Sequence, residues 1–155
     1  VKIRDLLNKS SILIDLQGTN KTEIINQMTH YMASIENLSD PDLITRKILE
    51  READMSTGIG FGIAIPHARI EKIGRVHMVV AKSVAGVDFS AIDEQPVHLI
   101  FLMISPANTS TEHTQTLSSL SRIMSYEDMR KKLFAATTAE QFLDLLVNGE
   151  DRYVE

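Results

Sequence analysis

The 155 residues suit one domain with a core of its own, and 16 basic against 21 acidic residues give a net charge of -5 with no Lys/Arg cluster, which counts against nucleic acid and anionic membrane as main partners. There is no cysteine, so disulfides, thiolate metal sites and cysteine nucleophiles are excluded, and the chain cannot carry a phosphocysteine. The longest apolar run, residues 99–104, falls far short of the roughly 18 residues that span a bilayer, and the N-terminal residues mix charged with apolar side chains instead of forming a signal peptide, so a soluble cytoplasmic protein is expected.

In chain order, residues 11–16 are a strand candidate. Asn20 with Glu23 three positions on resembles a capping box, and Ile24, Ile25, Met28, Tyr31, Met32 and Ile35 follow at helical spacing, which predicts a helix over 20–36. Asp40-Pro41 supplies an N-cap and a first-turn proline for a second helix, carrying Leu43, Ile44, Ile48 and Leu49, whose last turn holds Glu50, Arg51 and Glu52. Both glutamates are expected on its exposed surface.

Residues 56–69 read Ser-Thr-Gly-Ile-Gly-Phe-Gly-Ile-Ala-Ile-Pro-His-Ala-Arg. From Ile59 to Ile65 bulky residues alternate with glycine or alanine, a period of two that predicts one strand with a bulky buried face and a nearly bare one. Pro66 cannot donate to a sheet ladder, so the strand should stop there and leave His67 just past its end, where open α/β sheets place ligands. The strand alone equally permits glycines that only admit a close-packed helix, with His67 an ordinary loop histidine.

Strands are predicted over 76–81 and 97–104, the second apolar on both faces and hence central, with a short strand and a turn between them in residues 86–96. Three helices follow. Residues 111–124 place His113 on the stripe of Leu117, Leu120 and Met124, Ser125 with Asp128 caps a helix to Phe134, and Thr138 with Gln141 caps a last one ending at Asn148-Gly149. The order implies an α/β sandwich, a mixed sheet with helices on both sides, as one domain over 1–155.

The alternate glycines are neither a Walker loop nor a dinucleotide fingerprint. A neutral imidazole can, however, act as a nucleophile and hold a covalent group when nearby donors stabilise the charge in transfer. For a phosphoryl group those donors are Arg, backbone N–H and hydroxyls, and the sequence offers Arg51, Ser56, Thr57 and Arg69. His113, in the first turn of a predicted helix, is placed to hydrogen-bond an anion while neutral, or to be a core-edge histidine. His30 is expected on the surface and His77 and His98 at strand ends; no spacing supports a metal site.

Residues 51–69 closely resemble the active-site motif of the fructose, mannitol and nitrogen-regulatory class of enzyme IIA domains of the bacterial phosphoenolpyruvate-dependent phosphotransferase system. The resemblance continues through Gly86-Val87-Asp88-Phe89, Ala91-Ile92-Asp93, Pro96 to Phe101 and Glu112-His113, with one departure at Thr114, where a larger apolar residue is expected. It implies that His67 accepts a phosphoryl group on Nε2 from the phosphohistidine of HPr or an HPr-like domain, with Arg51 and His113 stabilising the group in transfer and no cofactor. The acceptor would be a IIB component in sugar uptake, membrane contact falling to a separate IIC component. Alternatively the chain is a nitrogen- or potassium-regulatory protein whose phosphorylation state gates binding to other proteins. A small hydrolase or metal enzyme is a third reading, but no activated nucleophile, general base or ligand set accompanies the two histidines.

Overall fold

A computed structural model describes residues 2–18, 20–108 and 111–154. Among these residues six helices and six strands follow in the order α1 (Ile3–Leu6), β1 (Ile12–Leu13), α2 (Lys21–Glu36), α3 (Pro41–Asp54), β2 (Gly58–Gly60), β3 (Ile63–Ala64), β4 (His67–Ile70), β5 (His77–Val87), β6 (Val97–Pro106), α4 (Thr111–Met124), α5 (Glu127–Ala135) and α6 (Ala139–Tyr153). The sheet runs β1-β5-β6-β3-β2, and β4 also pairs with β6. It is mixed, since β5 and β6 are antiparallel while β1 on β5, and β3 and β4 on β6, are parallel.

The central strand is β6, as its two apolar faces require. Leu99, Phe101 and Met103 join a core beneath α1 and α4–α6, whereas Ile100, Leu102 and Ile104 join a second core beneath α2 and α3. The expected sandwich is what forms. Each fully buried Leu, Ile or Phe contributes about 1.5–3 kcal/mol relative to exposure, so the alternation along β6 holds both helical layers to one sheet.

Helix starts follow their caps. The Asn20 side chain accepts from the backbone N–H groups of Thr22 and Glu23, Asp40 from Leu43 and Thr138 from Gln141. Other predicted ends move. Ser125 donates its hydroxyl to the Arg122 carbonyl, so α5 starts at Glu127 behind Tyr126. Gly149 does not end α6: a Cβ there would come within 2.7 Å of Met129 Cε, so its bareness admits α5. The first strand shrinks to Ile12–Leu13 behind a 3-10 turn, and β5 absorbs the short strand expected at Gly86.

The largest correction falls on residues 59–65, which are not one strand. Phe61 and Gly62 take φ of 60° and 79°, so the chain reverses there as a two-residue hairpin, with Gly60 opposite Ile63 and Gly58 opposite Ala64. Ile59 and Phe61 are therefore exposed, at 38% and 69%, and Gly58 and Gly60 are buried. Gly58 is bare because a Cβ would sit 2.8 Å from Ala91 Cβ. Period-two alternation survives a tight hairpin, but the face it assigns does not.

Pro66 breaks the edge as predicted, yet His67 opens a new strand. After the break β4 rejoins β6 with His67 opposite Met103, while the Pro66 carbonyl accepts from Met103 N–H at 3.0 Å.

Candidate functional site

His67 stands at the start of β4, and α4, which follows β6 in the chain, brings His113 to it, the ring centroids being 5.2 Å apart and near edge-on. Arg51, in the last turn of α3, and Arg69, two residues along β4, line the same open cleft of about 650 Å³. Lys47 adds a third cation and Glu50 and Asp54 two carboxylates. The structure thus gathers His67, Arg51, His113 and Arg69, drawn from three elements.

His67 Nδ1 lies 2.7 Å from the Ile65 carbonyl oxygen. A carbonyl only accepts, so Nδ1 carries the proton and the Nε2 lone pair is left available. Burial holds the imidazole below the ordinary histidine pKa; the Ile65 bond opposes this, and the Arg51 charge adds to it.

His113 is buried, its Nδ1 hydrogen-bonded to Ser105 Oγ at 2.6 Å. Burial, then the charges of Arg69, His67 and Arg51, lower its pKa to about 4, so it too is neutral near pH 7. Ser105 is fully buried and carries no signal in the sequence, because nothing in one sequence pairs a strand serine with a histidine eight residues on. The departure at Thr114 has a simple reason: that position is exposed and asks for no apolar side chain.

Ser56 and Thr57 are not in the cleft lining. Ser56 Oγ donates to the Phe89 carbonyl and accepts from Gly58 N–H, and Thr57 Oγ1 donates to Glu52 at 2.6 Å. Their hydroxyls shape the chain entering β2. Glu52, expected on the surface, is buried at 6% exposure, whereas Glu50 is exposed. Arg51 donates from one terminal nitrogen to the Met55 carbonyl at 2.9 Å.

Of the other histidines, His30 is half-exposed beside Asp42, and His77 is buried, its Nδ1 3.6 Å from Glu36. His98 donates Nδ1–H to the Ser83 carbonyl at 2.9 Å beside a separate groove of about 430 Å³. Among the described residues no group of three or more His, Cys, Asp or Glu is arranged to hold a metal, and no helix is long and apolar enough to cross a membrane.

Such a site, a neutral histidine with Nε2 unprotonated amid cations and a second neutral histidine, suits transfer of an anionic group. The family model for the phosphoenolpyruvate-dependent sugar phosphotransferase system, EIIA 2, matches residues 5–149. The chain is 33% identical over 152 residues to the fructose-specific EIIABC component of that system from Bacillus subtilis, covering 98% of this chain and 24% of that one, so it spans about a quarter of that relative. Among solved structures, the nitrogen regulatory protein IIA-Ntr from Neisseria meningitidis superposes with a TM-score of 0.87 at 29% identity, over 93% of this chain and 98% of that one. The enzyme IIA for mannitol from Escherichia coli, solved in complex with phosphorylated IIB, shares the fold with a TM-score of 0.78 at 21% identity, over 92% and 97% of the two chains. The chain belongs to the EIIA 2 family of the phosphoenolpyruvate-dependent sugar phosphotransferase system, whose IIA domains are phosphotransfer proteins.

Proposed function

We propose that His67 is the phosphoryl acceptor of a fructose/mannitol-type uptake relay, taking the group from the phosphohistidine of HPr or an HPr-like carrier and passing it to a IIB component. The observation that carries this is the Nδ1 bond to the Ile65 carbonyl, which holds the tautomer whose Nε2 can attack phosphorus. As the Nε2–P bond forms, the donor's P–N bond breaks and its electron pair leaves with the donor imidazole. The Nδ1 proton stays on His67 throughout, so acceptance needs no general base. The remaining N–H groups of Arg51 face the charge developing on the phosphoryl oxygens, and Arg69 adds a second cation at the rim. A neutral His113 donates Nε2–H to the same oxygens if its Nδ1 accepts from the Ser105 hydroxyl, which the 2.6 Å contact permits.

The relay belongs in the cytoplasm, with sugar recognition and membrane passage assigned to other components. The test is intact mass after incubation with phosphoenolpyruvate, enzyme I and HPr. One acid-labile phosphoryl group, absent in His67→Ala, is the expected result; full acceptance by His67→Ala would overturn the reading.

A regulatory role is the second reading, favoured by the TM-score of 0.87 to IIA-Ntr over 98% of that chain. It uses the same His67 chemistry, since a phosphohistidine adds about two negative charges to the cleft and can switch a partner surface on or off. Offering phospho-His67 to a fructose- or mannitol-type IIB separates the two: transfer to the IIB component supports uptake, and its absence supports regulation.

A further inference from the structure

Glu52 and Glu150 are the two buried acidic residues among the described ones, and Glu150 serves the far side of the molecule, where it accepts from Ile3 N–H and Arg4 Nε–H. Glu52 sits next to Arg51 in α3 but points the other way, into the protein. A buried carboxylate is tolerated only when its oxygens are hydrogen-bonded and its charge is paired. Here Oε1 accepts from Thr57 N–H at 2.9 Å and from Lys21 Nζ at 3.3 Å, and Oε2 accepts from Thr57 Oγ1 at 2.6 Å.

The network reaches further. Lys21, the first residue of α2, also donates to the Phe89 carbonyl at 3.1 Å, and Ser56 Oγ donates to that same carbonyl. Segment 55–58 is thereby tied to the end of α3, the start of α2 and the loop after β5. Inside this tied segment lies the Met55 carbonyl on which Arg51 rests. Met55 is the C-cap residue of α3 with extended backbone, so the helix itself does not place its carbonyl. It can aim a guanidinium only if the segment stands still.

We infer that Glu52, with Lys21 as its counter-ion, is a positioning residue for phosphoryl transfer: by clamping Thr57 it holds the Met55 carbonyl where it directs the Arg51 guanidinium into the His67 cleft. The inference rests on the phosphotransfer reading of His67. The clamp acts at one remove from the chemistry, because Glu52 is turned away from the cleft and its oxygens are already occupied. Its loss lets the charge-stabilising arginine wander, and misplacement on the ångström scale is costly in rate.

The experiment measures phosphoryl acceptance from phospho-HPr and from phosphoramidate in Glu52→Gln and Thr57→Val, each in the parent and in the Arg51→Ala background. Thermal unfolding of every variant identifies those that are folded. Glu52→Gln is expected to lower kcat about 10-fold and Thr57→Val about 3-fold, with KM for HPr moving less than about 2-fold. In Arg51→Ala neither should lower the rate further; losses that multiply in that background would overturn the proposal. Thr57→Val keeps every charge, so it serves if Glu52→Gln does not fold.

A second readout does not depend on transfer. The Arg51 Nε–H resonance should be sharp in the parent and exchange-broadened in Thr57→Val, and an unchanged resonance would overturn the clamp. A parent protein that takes phosphoryl from neither donor defeats the His67 reading instead, while this resonance still decides the clamp.

Discussion

Two histidines of this chain share one local device and differ in everything around it. His67 donates Nδ1–H to the Ile65 carbonyl at 2.7 Å, and His98 donates Nδ1–H to the Ser83 carbonyl at 2.9 Å, so each is held in the tautomer with Nε2 unprotonated. Both rings meet a neighbour edge-on at 5.2 Å, but that neighbour is His113 for one and Phe134 for the other. The His98 ring is also packed against Gly86, where a Cβ would lie 3.0 Å from Cε1 and 3.4 Å from Nε2. The cations near its groove are otherwise engaged: Arg130 lies over the Phe61 ring and Lys131 pairs with Glu127. A tautomer makes a nucleophile available; open space and donors aimed at the incoming charge give it a reaction.

The sharpest test of this contrast is the pair His67→Ala and His98→Ala. The first should abolish acid-labile phosphoryl uptake, whereas the second should leave its rate within about 2-fold, and equal losses would erase the distinction. The arginines give the next largest difference. Arg51→Ala should slow acceptance about 100- to 1,000-fold by removing a charge-stabilising donor, while Arg130→Ala, which uncovers Phe61 and frees the Met124 carbonyl, should leave stopped-flow transfer from HPr nearly unchanged.

His113→Ala is expected to slow transfer about 10-fold, since one neutral hydrogen bond is lost and Arg51 remains. Replacing the Ser105 hydroxyl by Ser105→Ala should reproduce part of that loss if it selects the His113 tautomer, and steady-state rates would show it.

The pH dependence follows from signs. His67 titrates below 6.5, so the loss of acceptance on acidification should have its midpoint below 6.5; a midpoint at or above 6.5 would break the account. Stability has a matching window. The unfolded chain protonates its histidines near 6.5, about their unperturbed value, while buried His113 stays neutral until about pH 4. The unfolded state therefore binds more protons between those values, so this contribution to stability is full above 6.5 and is lost as pH falls toward 4. His113→Gln should shrink that loss in denaturant titrations at pH 7 and pH 5.

The smallest effect concerns the quiet histidine. Gly86 has φ of +88° and no room for a Cβ beside His98 and Pro96, so Gly86→Ala should cost about 1–2 kcal/mol of stability without changing the phosphoryl transfer rate of the folded protein. A matching loss of transfer would mean that the two regions are coupled through β6.

Much of this was legible in the chain itself. The caps Asn20, Asp40 and Thr138, the helical stripes behind them and the two-faced apolar run of β6 determine the helices and the central strand, because capping and burial periodicity are local properties of sequence. The residues around His67 likewise marked the family. What only the tertiary structure decided are relations across the chain. The hairpin at Phe61–Gly62 depends on left-handed backbone at a phenylalanine, which no local preference announces, and it reversed the expected exposure of Ile59 and Phe61. Ser105 against His113, and Glu52 buried under Lys21 and Thr57 where a surface residue was expected, arise from strand pairing and helix packing, since a polar side chain's role is set by the partner that folding brings to it.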